Sequence, residues 1–169
     1  MSRDPKNLGA ACTLSHIGLR YHAYMRLKNF EISGSIELRT GDLLWDIHNF
    51  ADFEGLELLP ACNAVVMRWT VPKEANPWGS PENKSSGMKL YFDGLQFLKI
   101  SARDSDMPLT EDTCVSDILK VDPKLEYEDP FLRTRKNWAP GDSFRLAFLF
   151  QSGRVIEIES ETVELIPIT

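Results

Sequence analysis

The chain has 169 residues, of which 43% are apolar and 26% charged, proportions that exclude an intrinsically disordered chain and fit one globular domain, residues 1–169. Its formal net charge of −6 makes nucleic acid an unfavourable partner. The first dozen residues lack the apolar core of a signal peptide, and no stretch has the roughly 18 apolar residues of a membrane span, so we expect a cytoplasmic protein that binds no membrane and has a flexible tail at residues 1–13.

The first predicted element covers residues 14–28, for which the pattern leaves strand and helix open. In HIGLRYHAYMRLK the odd positions from Ile17 to Leu27 are apolar, and this period of two favours a strand. Leu14, Ile17 and Tyr21 also fall at helical spacing, although Gly18 weakens a helix. Apolar residues then move to even positions and predict a turn or bulge and a second strand: Phe30, Ile32, Ile36 and Leu38.

A short helix is predicted next, because Asp42 stands where an N-cap should and Gly55 supplies a stop. The apolar residues between them fall at helical spacing: Leu43, Leu44, Ile47, Phe50 and Ala51. Two strands are predicted to follow, at residues 55–59 and 63–71, joined by a Pro-Ala-Cys turn.

The middle of the chain combines a long loop with a strand region. Residues 72–87 contain three prolines and two glycines and are predicted to be irregular. The apolar run from Met88 then leads to Asp104 and Asp106. Asp93-Gly94 within this run predicts a two-residue hairpin, with a single bulged strand as the alternative.

A second short helix is predicted from Thr110, with Glu111 and Asp112 in its first turn, where the helix dipole favours anions. Its core-facing residues would be Val115, Ile118 and Leu119. Residues 121–142 are predicted to be a second long irregular loop, with three prolines.

The chain is predicted to close with three strands, at residues 143–151, 154–159 and 162–168, the first two joined by a turn at Ser152-Gly153. About nine strands and two short helices, without alternation of strand and long helix, exclude a doubly wound parallel sheet. The predicted fold class is α+β, with a mainly antiparallel sheet that curls into a sandwich or partial barrel.

Asp104 and Asp106 form a D-x-D pair, the arrangement with which several transferases hold a metal ion at the end of a strand. Carboxylates two residues apart on a strand share a face, but they would need a third ligand. Pro108 stands where a haloacid-dehalogenase-like motif expects threonine or valine and where a calcium loop expects an oxygen ligand. We therefore predict a solvated loop here rather than a metal site.

The other reactive residues also lack the usual spacing of a site. The sequence has no H-x-H, H-E-x-x-H or G-x-S-x-G motif. Cys12, Cys62 and Cys114 are an odd number without a C-x-x-C pair, which argues against a disulfide framework and suits a reducing cytoplasm. Cys114 is predicted to be a buried structural thiol. No metal, cofactor or catalytic residue is predicted.

Negative charge is concentrated in residues 104–129, which contain nine acids and two lysines. Such a segment would attract a basic partner. The cations that follow, including Arg133 and Arg135, are predicted to be its internal counter-charge. The loop tryptophans, Trp78 and Trp138, are predicted to fold back over the sheet or to anchor a partner.

Two predicted strand pairs resemble those of small uncharacterised bacterial domains, some of them proposed to be toxin-immunity proteins. The segments are LYFDGLQFLKI at residues 90–100 and FLFQSGRVIEI at residues 148–158. They cover about twenty residues of mostly generic hairpin pattern. The resemblance implies an immunity role, but it assigns no functional residue to this chain.

The predicted function is a non-enzymatic domain that binds another protein, expected to be basic, through an acidic surface. The predicted binding residues are Asp104, Asp106, Glu111, Asp112, Trp78 and Trp138. The alternative is a small-ligand binder or metal-assisted enzyme with a carboxylate pocket at the mouth of the sheet, using Asp104, Asp106 or Glu111. A third hypothesis is a homodimer formed through an edge strand such as residues 162–168.

Overall fold

The computed structural model describes residues 24–71 and 85–169. In these ranges 52% of the residues are strand and 8% helical, and no helix reaches seven residues. The described strands are β1 (Arg26–Leu27), β2 (Glu31–Ser33), β3 (Glu37–Thr40), β4 (Leu43–Asp46), β5 (Asp52–Leu59), β6 (Ala64–Thr70), β7 (Gly87–Ile100), β8 (Val115–Val121), β9 (Arg145–Phe150) and β10 (Val155–Ile168). Short 3-10 helices lie at Pro60–Cys62, Leu109–Asp112 and Pro130–Arg133. The fold is mainly β, so the prediction of an α+β fold is wrong.

Seven strands form one curled sheet, a half-barrel with the order β5-β6-β7-β10-β9-β8. Neighbours along this path are antiparallel. β1 pairs with β10 in parallel, with Arg26 opposite Thr162. Strands β2, β3 and β4 form a separate three-stranded antiparallel meander. The prediction of a curled antiparallel sheet is confirmed, and a partial barrel is the form it takes.

The first predicted helix is wrong because its residues form strands. Gly41 and Asp42 turn the chain from β3 into β4, and Trp45 pairs with Leu38 across that hairpin. The Asp46 carboxylate then accepts hydrogen bonds from the backbone N–H groups of His48 and Asn49, closing a tight turn before β5. A short strand followed by a turn therefore reproduces the apolar spacing of a helix.

The second predicted helix is wrong for a different reason. Only the 3-10 helix Leu109–Asp112 forms, and β8 follows it. A register shift between Val115 and Asp117 marks a bulge in β8. The extra residue brings Val115 and Ile118, three positions apart, into the same core. This spacing resembles that of a helix although the segment is a strand.

The two longest strands, β7 and β10, lie side by side at the centre of the sheet. β7 continues through Asp93-Gly94 without a hairpin, with Asp93 opposite Thr162 and Leu95 opposite Ser160. The two strands predicted at 154–159 and 162–168 are likewise the single strand β10. Gly94 has a φ of 68°, which a bulged strand can use as well as a turn. The pairing with β10 skips one residue of β7 between Leu95 and Phe97, opposite Ser160 and Glu159, so the bulged-strand alternative is correct.

Both sheets contribute to one apolar core. Trp69 and Phe148 of the large sheet have ring centroids 5.9 Å apart, and Leu38 and Trp45 of the meander belong to the same buried cluster. The backbone N–H of Ile118 donates to the carbonyl of Ser35 at 2.5 Å and joins the meander to β8. The small sheet thus covers part of the concave core that the half-barrel leaves open.

Several predictions fall wholly or partly outside the described residues. These are the tail at 1–13, the strand or helix at 14–28 and the loop at 72–87, which includes Trp78. Within the part that is described, Arg26–Leu27 is a strand and Gly87 already belongs to β7.

Candidate protein-interaction surface

The segment between β8 and β9 begins with a compact loop of residues 122–133, called here the 122–133 loop. Its two ends meet, because the backbone N–H of Asp122 donates to the carbonyl of Arg133 at 2.8 Å. Near its end, the Asp129 carboxylate accepts from the N–H of Phe131 and caps the 3-10 helix Pro130–Arg133. Compact surface loops with closed ends are frequently functional.

An ion pair with the central strand β10 fixes the end of this loop. The guanidinium of Arg133 donates to both carboxylate oxygens of Glu157, at 3.0 and 2.5 Å. The two side chains are only 6% and 4% exposed. A two-pronged contact of this kind sets both the position and the orientation of the arginine.

A second charged group holds the start of the loop. The buried Asp122 carboxylate accepts from the N–H of Lys124 and from the guanidinium of Arg135. Burial acts to raise the pKa of Asp122, but these hydrogen bonds outweigh it and hold that pKa below its ordinary value. Arg135 also reaches Asp142 at 3.5 Å. Arg135 pairs with an acid of residues 104–129, as predicted. Arg133 instead pairs with Glu157 of β10.

The anchored loop carries large apolar side chains that face water. Leu125, Tyr127, Phe131 and Leu132 are 37%, 56%, 51% and 60% exposed. Their exposure is unlike that of Pro130 in the same loop, which is buried. Large apolar side chains gathered in one exposed segment are typical of a binding surface.

Acidic side chains alternate with these apolar ones. Glu126, Glu128 and Asp129 are exposed, and within the described part of the chain none of the three takes part in an ion pair. Lys124 is the exposed cation of the same loop. The exposed charge of the loop is therefore negative.

The structure places Asp104 and Asp106 in the connection between β7 and β8, with both side chains exposed. The N–H of Asp106 donates to the Asp104 carboxylate at 2.9 Å, and the N–H of Asp104 donates to the carbonyl of Ser152 at 2.7 Å. The aspartates thus form a local turn against the β9–β10 hairpin. Among the described residues no three carboxylate, histidine or cysteine groups are arranged to hold a metal.

Glu111 and Asp112 lie in the 3-10 helix before β8, and both are half-buried. Asp112 sits between the guanidinium groups of Arg103 and Arg154, each at 3.0 Å. The neighbouring Ser152 hydroxyl, with these two cations, holds the pKa of Asp112 below its ordinary value. Its charge is already neutralised within the fold, which leaves less of it for a partner.

Trp138 is half-buried and packs against the core beside Phe144, with ring centroids 5.7 Å apart. The guanidinium of Arg135 lies 5.1 Å from the centroid of its indole ring. The tryptophan therefore folds back onto the body of the protein. The predicted partner residue Trp78 lies outside the described residues.

Cys114 and His48 form a pair that the sequence spacing did not suggest. The Cys114 sulfur lies 3.5 Å from Nδ1 of His48, but that nitrogen is also 2.8 Å from the carbonyl oxygen of Val115. A carbonyl only accepts, so Nδ1 carries a proton and cannot take one from the thiol. Burial, followed by the charges of Glu111, Asp52 and Asp46, raises the pKa of Cys114. Both features oppose an activated nucleophile.

The cysteines differ in state. Cys114 is a free thiol, whereas Cys62 is disulfide-bonded. The cysteine count therefore no longer supports the predicted reducing cytoplasm. None of the helices in the described ranges has the length and apolar content needed to cross a membrane.

The apolar side chains of the 122–133 loop were missed at the sequence level, although a signal was present. The segment DPKLEYEDPFLR holds two prolines and four large apolar residues without a period of two or of 3.6. The pattern of this segment fits neither a strand nor a helix, so no predicted element places its apolar residues in the core. Comparisons with protein-family models, with curated proteins and with solved structures found no match.

Proposed function

We propose that this chain is a non-enzymatic interaction domain that binds a basic protein partner through the 122–133 loop. The observation that supports it is the exposure of Leu125, Tyr127, Phe131 and Leu132 on a loop anchored at both ends. A loop already held in one conformation loses little entropy on binding, so more of the contact energy becomes affinity.

The two kinds of side chain would contribute differently to binding. Aromatic anchors such as Tyr127 and Phe131 supply affinity when a partner covers them. Glu126, Glu128 and Asp129 would accelerate encounter with a cationic surface and disfavour acidic partners. Asp104 and Asp106 lie against the β9–β10 hairpin, at the other end of β8 from the 122–133 loop, and Asp112 and Asp122 are engaged by arginines.

The other predictions about function are the immunity role, the carboxylate pocket and the homodimer. The resemblance to toxin-immunity domains suits a small protein that binds one basic protein, and it stays a prediction. The rival carboxylate pocket draws no support from Asp104 and Asp106, whose side chains are exposed. Dimerisation through β10 is disfavoured because that strand is central, with β7 on one side and β9 and β1 on the other.

The test compares two variants that each remove two exposed apolar side chains, from different places. Tyr127→Ser with Phe131→Ser alters the loop, and Leu58→Ser with Ile100→Ser alters side chains of similar exposure, 49% and 51%, elsewhere on the large sheet. Partners are captured from the native cell, purified and titrated by calorimetry. We expect the loop variant to weaken binding by about 30-fold or more and the control variant to leave it unchanged.

Charge is tested separately with Glu126→Gln and Glu128→Gln. These changes should slow association several-fold at low salt, and the difference should shrink at high salt. A purified partner that binds the loop variant as tightly as the unaltered protein would overturn the proposal. An association rate that does not depend on the salt concentration would contradict the part of the proposal that makes the partner basic.

A further inference from the structure

A groove lies next to the start of β1, and its lining includes Lys120 and Trp138, which flank the 122–133 loop in sequence. It has a volume of about 460 Å³, within the usual range of roughly 300–1,000 Å³ for small-molecule sites. It is lined by residues 24–27, by residues 138–142 and Phe144, and by Lys120 of β8.

The walls of the groove are largely apolar. They include Met25, Leu27, Trp138, Pro140 and Phe144. Trp138 and Phe144 meet nearly edge to face, with an angle of 65° between their planes. The ring pair is fixed by the core beneath it, so the groove offers a rigid aromatic surface to a flat ligand.

Lys120 brings an unbalanced positive charge to this apolar site. Its side chain is half-buried and its ammonium lies 4.9 Å from the centroid of the Phe144 ring. In the described part of the chain no carboxylate pairs with it. Burial lowers the pKa of Lys120, as expected for a cation that is short of both water and a counter-ion.

The other charged residues of the groove do not cancel this charge. Arg26 at the rim is exposed and forms no ion pair with any described residue. Asp142 is the one acid among the described residues that line the groove, and it already accepts from the N–H of Ala139 and from Arg135. The groove is therefore cationic although the whole chain carries a net charge of −6.

We propose that this groove binds a small organic anion, a carboxylate attached to a flat apolar body, with the carboxylate on Lys120 and the body against Trp138. Arg26 at the rim adds to the attraction for the negative group. An inorganic anion would leave the aromatic wall uncovered, and a neutral aromatic would leave the Lys120 charge unmatched. The proposed ligand contacts, Lys120 and Trp138, differ from the loop side chains proposed to bind a protein partner, although Arg135 contacts both Asp122 at the start of the loop and Asp142 in the groove.

The experiment uses naphthalene-2-carboxylate and its uncharged counterpart, naphthalene-2-carboxamide, titrated into the full chain at neutral pH. We expect the carboxylate to bind at least tenfold more tightly than the amide. Lys120→Met should abolish this preference and leave the affinity for the amide unchanged. Lys89→Met, which removes another half-buried lysine on β7, is the matched control and should retain the preference.

Four results would overturn the proposal. The first is the same affinity for both probes, and the second is no binding of either probe at millimolar concentration. Another is a carboxylate preference that persists in Lys120→Met. The last is displacement of the carboxylate by inorganic phosphate at equal concentration, which would mean that charge alone is recognised. If Lys120→Met does not fold, as judged by circular dichroism, Lys120→Gln provides the same comparison.

Discussion

Arg133 and Glu157 illustrate how one pair of residues can set the position of a whole loop. Both are nearly excluded from water, and each prong of the guanidinium meets one carboxylate oxygen. Such a pair adds little net stability compared with an apolar pair of the same size, because both ions are desolvated. Its geometric effect is larger, since Arg133 ends the 122–133 loop and Glu157 lies on the central strand β10.

Removal of one partner should therefore be costly. Arg133→Met leaves the Glu157 charge buried without compensation, and we expect a loss of about 3–5 kcal/mol in the free energy of unfolding. Adding Glu157→Leu should recover most of that loss. Urea denaturation measures all three proteins. Arg68→Met, which breaks the exposed pair with Glu57, should cost about 1 kcal/mol or less; equal losses at the two sites would contradict the burial of Arg133.

At the scale of elements, β7 depends on the backbone conformation of Gly94. The strand pairs with β6 up to Asp93 and with β10 along its length, so Gly94 lies where the pairing with β6 ends. Its φ of 68° lies in the left-handed region, and a methyl group at this position would lie 2.7 Å from Cγ of Glu161. The Glu161 side chain is exposed and can move, so the backbone conformation is the main constraint.

Two substitutions at Gly94 separate these effects. Gly94→Ala and Gly94→Asn add the same Cβ near Glu161, but asparagine tolerates the left-handed region better. We expect Gly94→Ala to lower the free energy of unfolding by about 1–2 kcal/mol and Gly94→Asn to lower it by clearly less. Thermal and urea unfolding provide the values. Equal losses for the two variants would mean that contact with Glu161, rather than φ, sets the requirement for glycine.

Across the whole molecule, charged groups connect the long loops to the half-barrel. Asp112 joins the β7–β8 connection to Arg154 at the start of β10, and Asp122 joins the end of β8 to Arg135. The pKa of each aspartate lies below the ordinary value of 3.8. The pKa of Lys120 is also lowered, from 10.5, but for a cation a lower pKa means that the folded state disfavours the charge.

Opposite pH dependences follow for the aspartates and for Lys120. The stabilisation by Asp112 and Asp122 is complete above pH 3.8 and is lost as the pH falls through their folded-state pKa values. The penalty from charged Lys120 is present at neutral pH and disappears as the pH rises through its lowered pKa towards 10.5.

Two variants examine the two ends of the pH curve. Asp122→Asn should be less stable than the unaltered protein at neutral pH, with a difference that shrinks in acid. Lys120→Met should be more stable at neutral pH, with a difference that shrinks in alkali. Urea unfolding across the pH range measures both, and each variant is the control for the other. A constant difference across the range would mean that the variant acts through packing rather than through charge.

Local pattern was sufficient to predict several elements. Short apolar runs next to turn residues predicted β6 and β9, and Ser152-Gly153 predicted the turn between β9 and β10, where Phe150 N–H donates to the carbonyl of Arg154. The curled antiparallel sheet also followed from many short strands without long helices. These features depend on interactions between residues close in sequence, which a local pattern records.

Tertiary structure alone decided the rest. The bulge in β8 and the turn after Trp45 produce a helical spacing of apolar residues in strands, and only pairing with β9 and β3 reveals it. Asp93-Gly94 suits a hairpin or a bulge equally, and the long pairing with β10 selects the bulge. The exposed apolar side chains of the 122–133 loop, and a Lys120 without an ion pair to any described residue, depend on which distant residues fill the core and which arginines meet which acids. No local pattern contains that information.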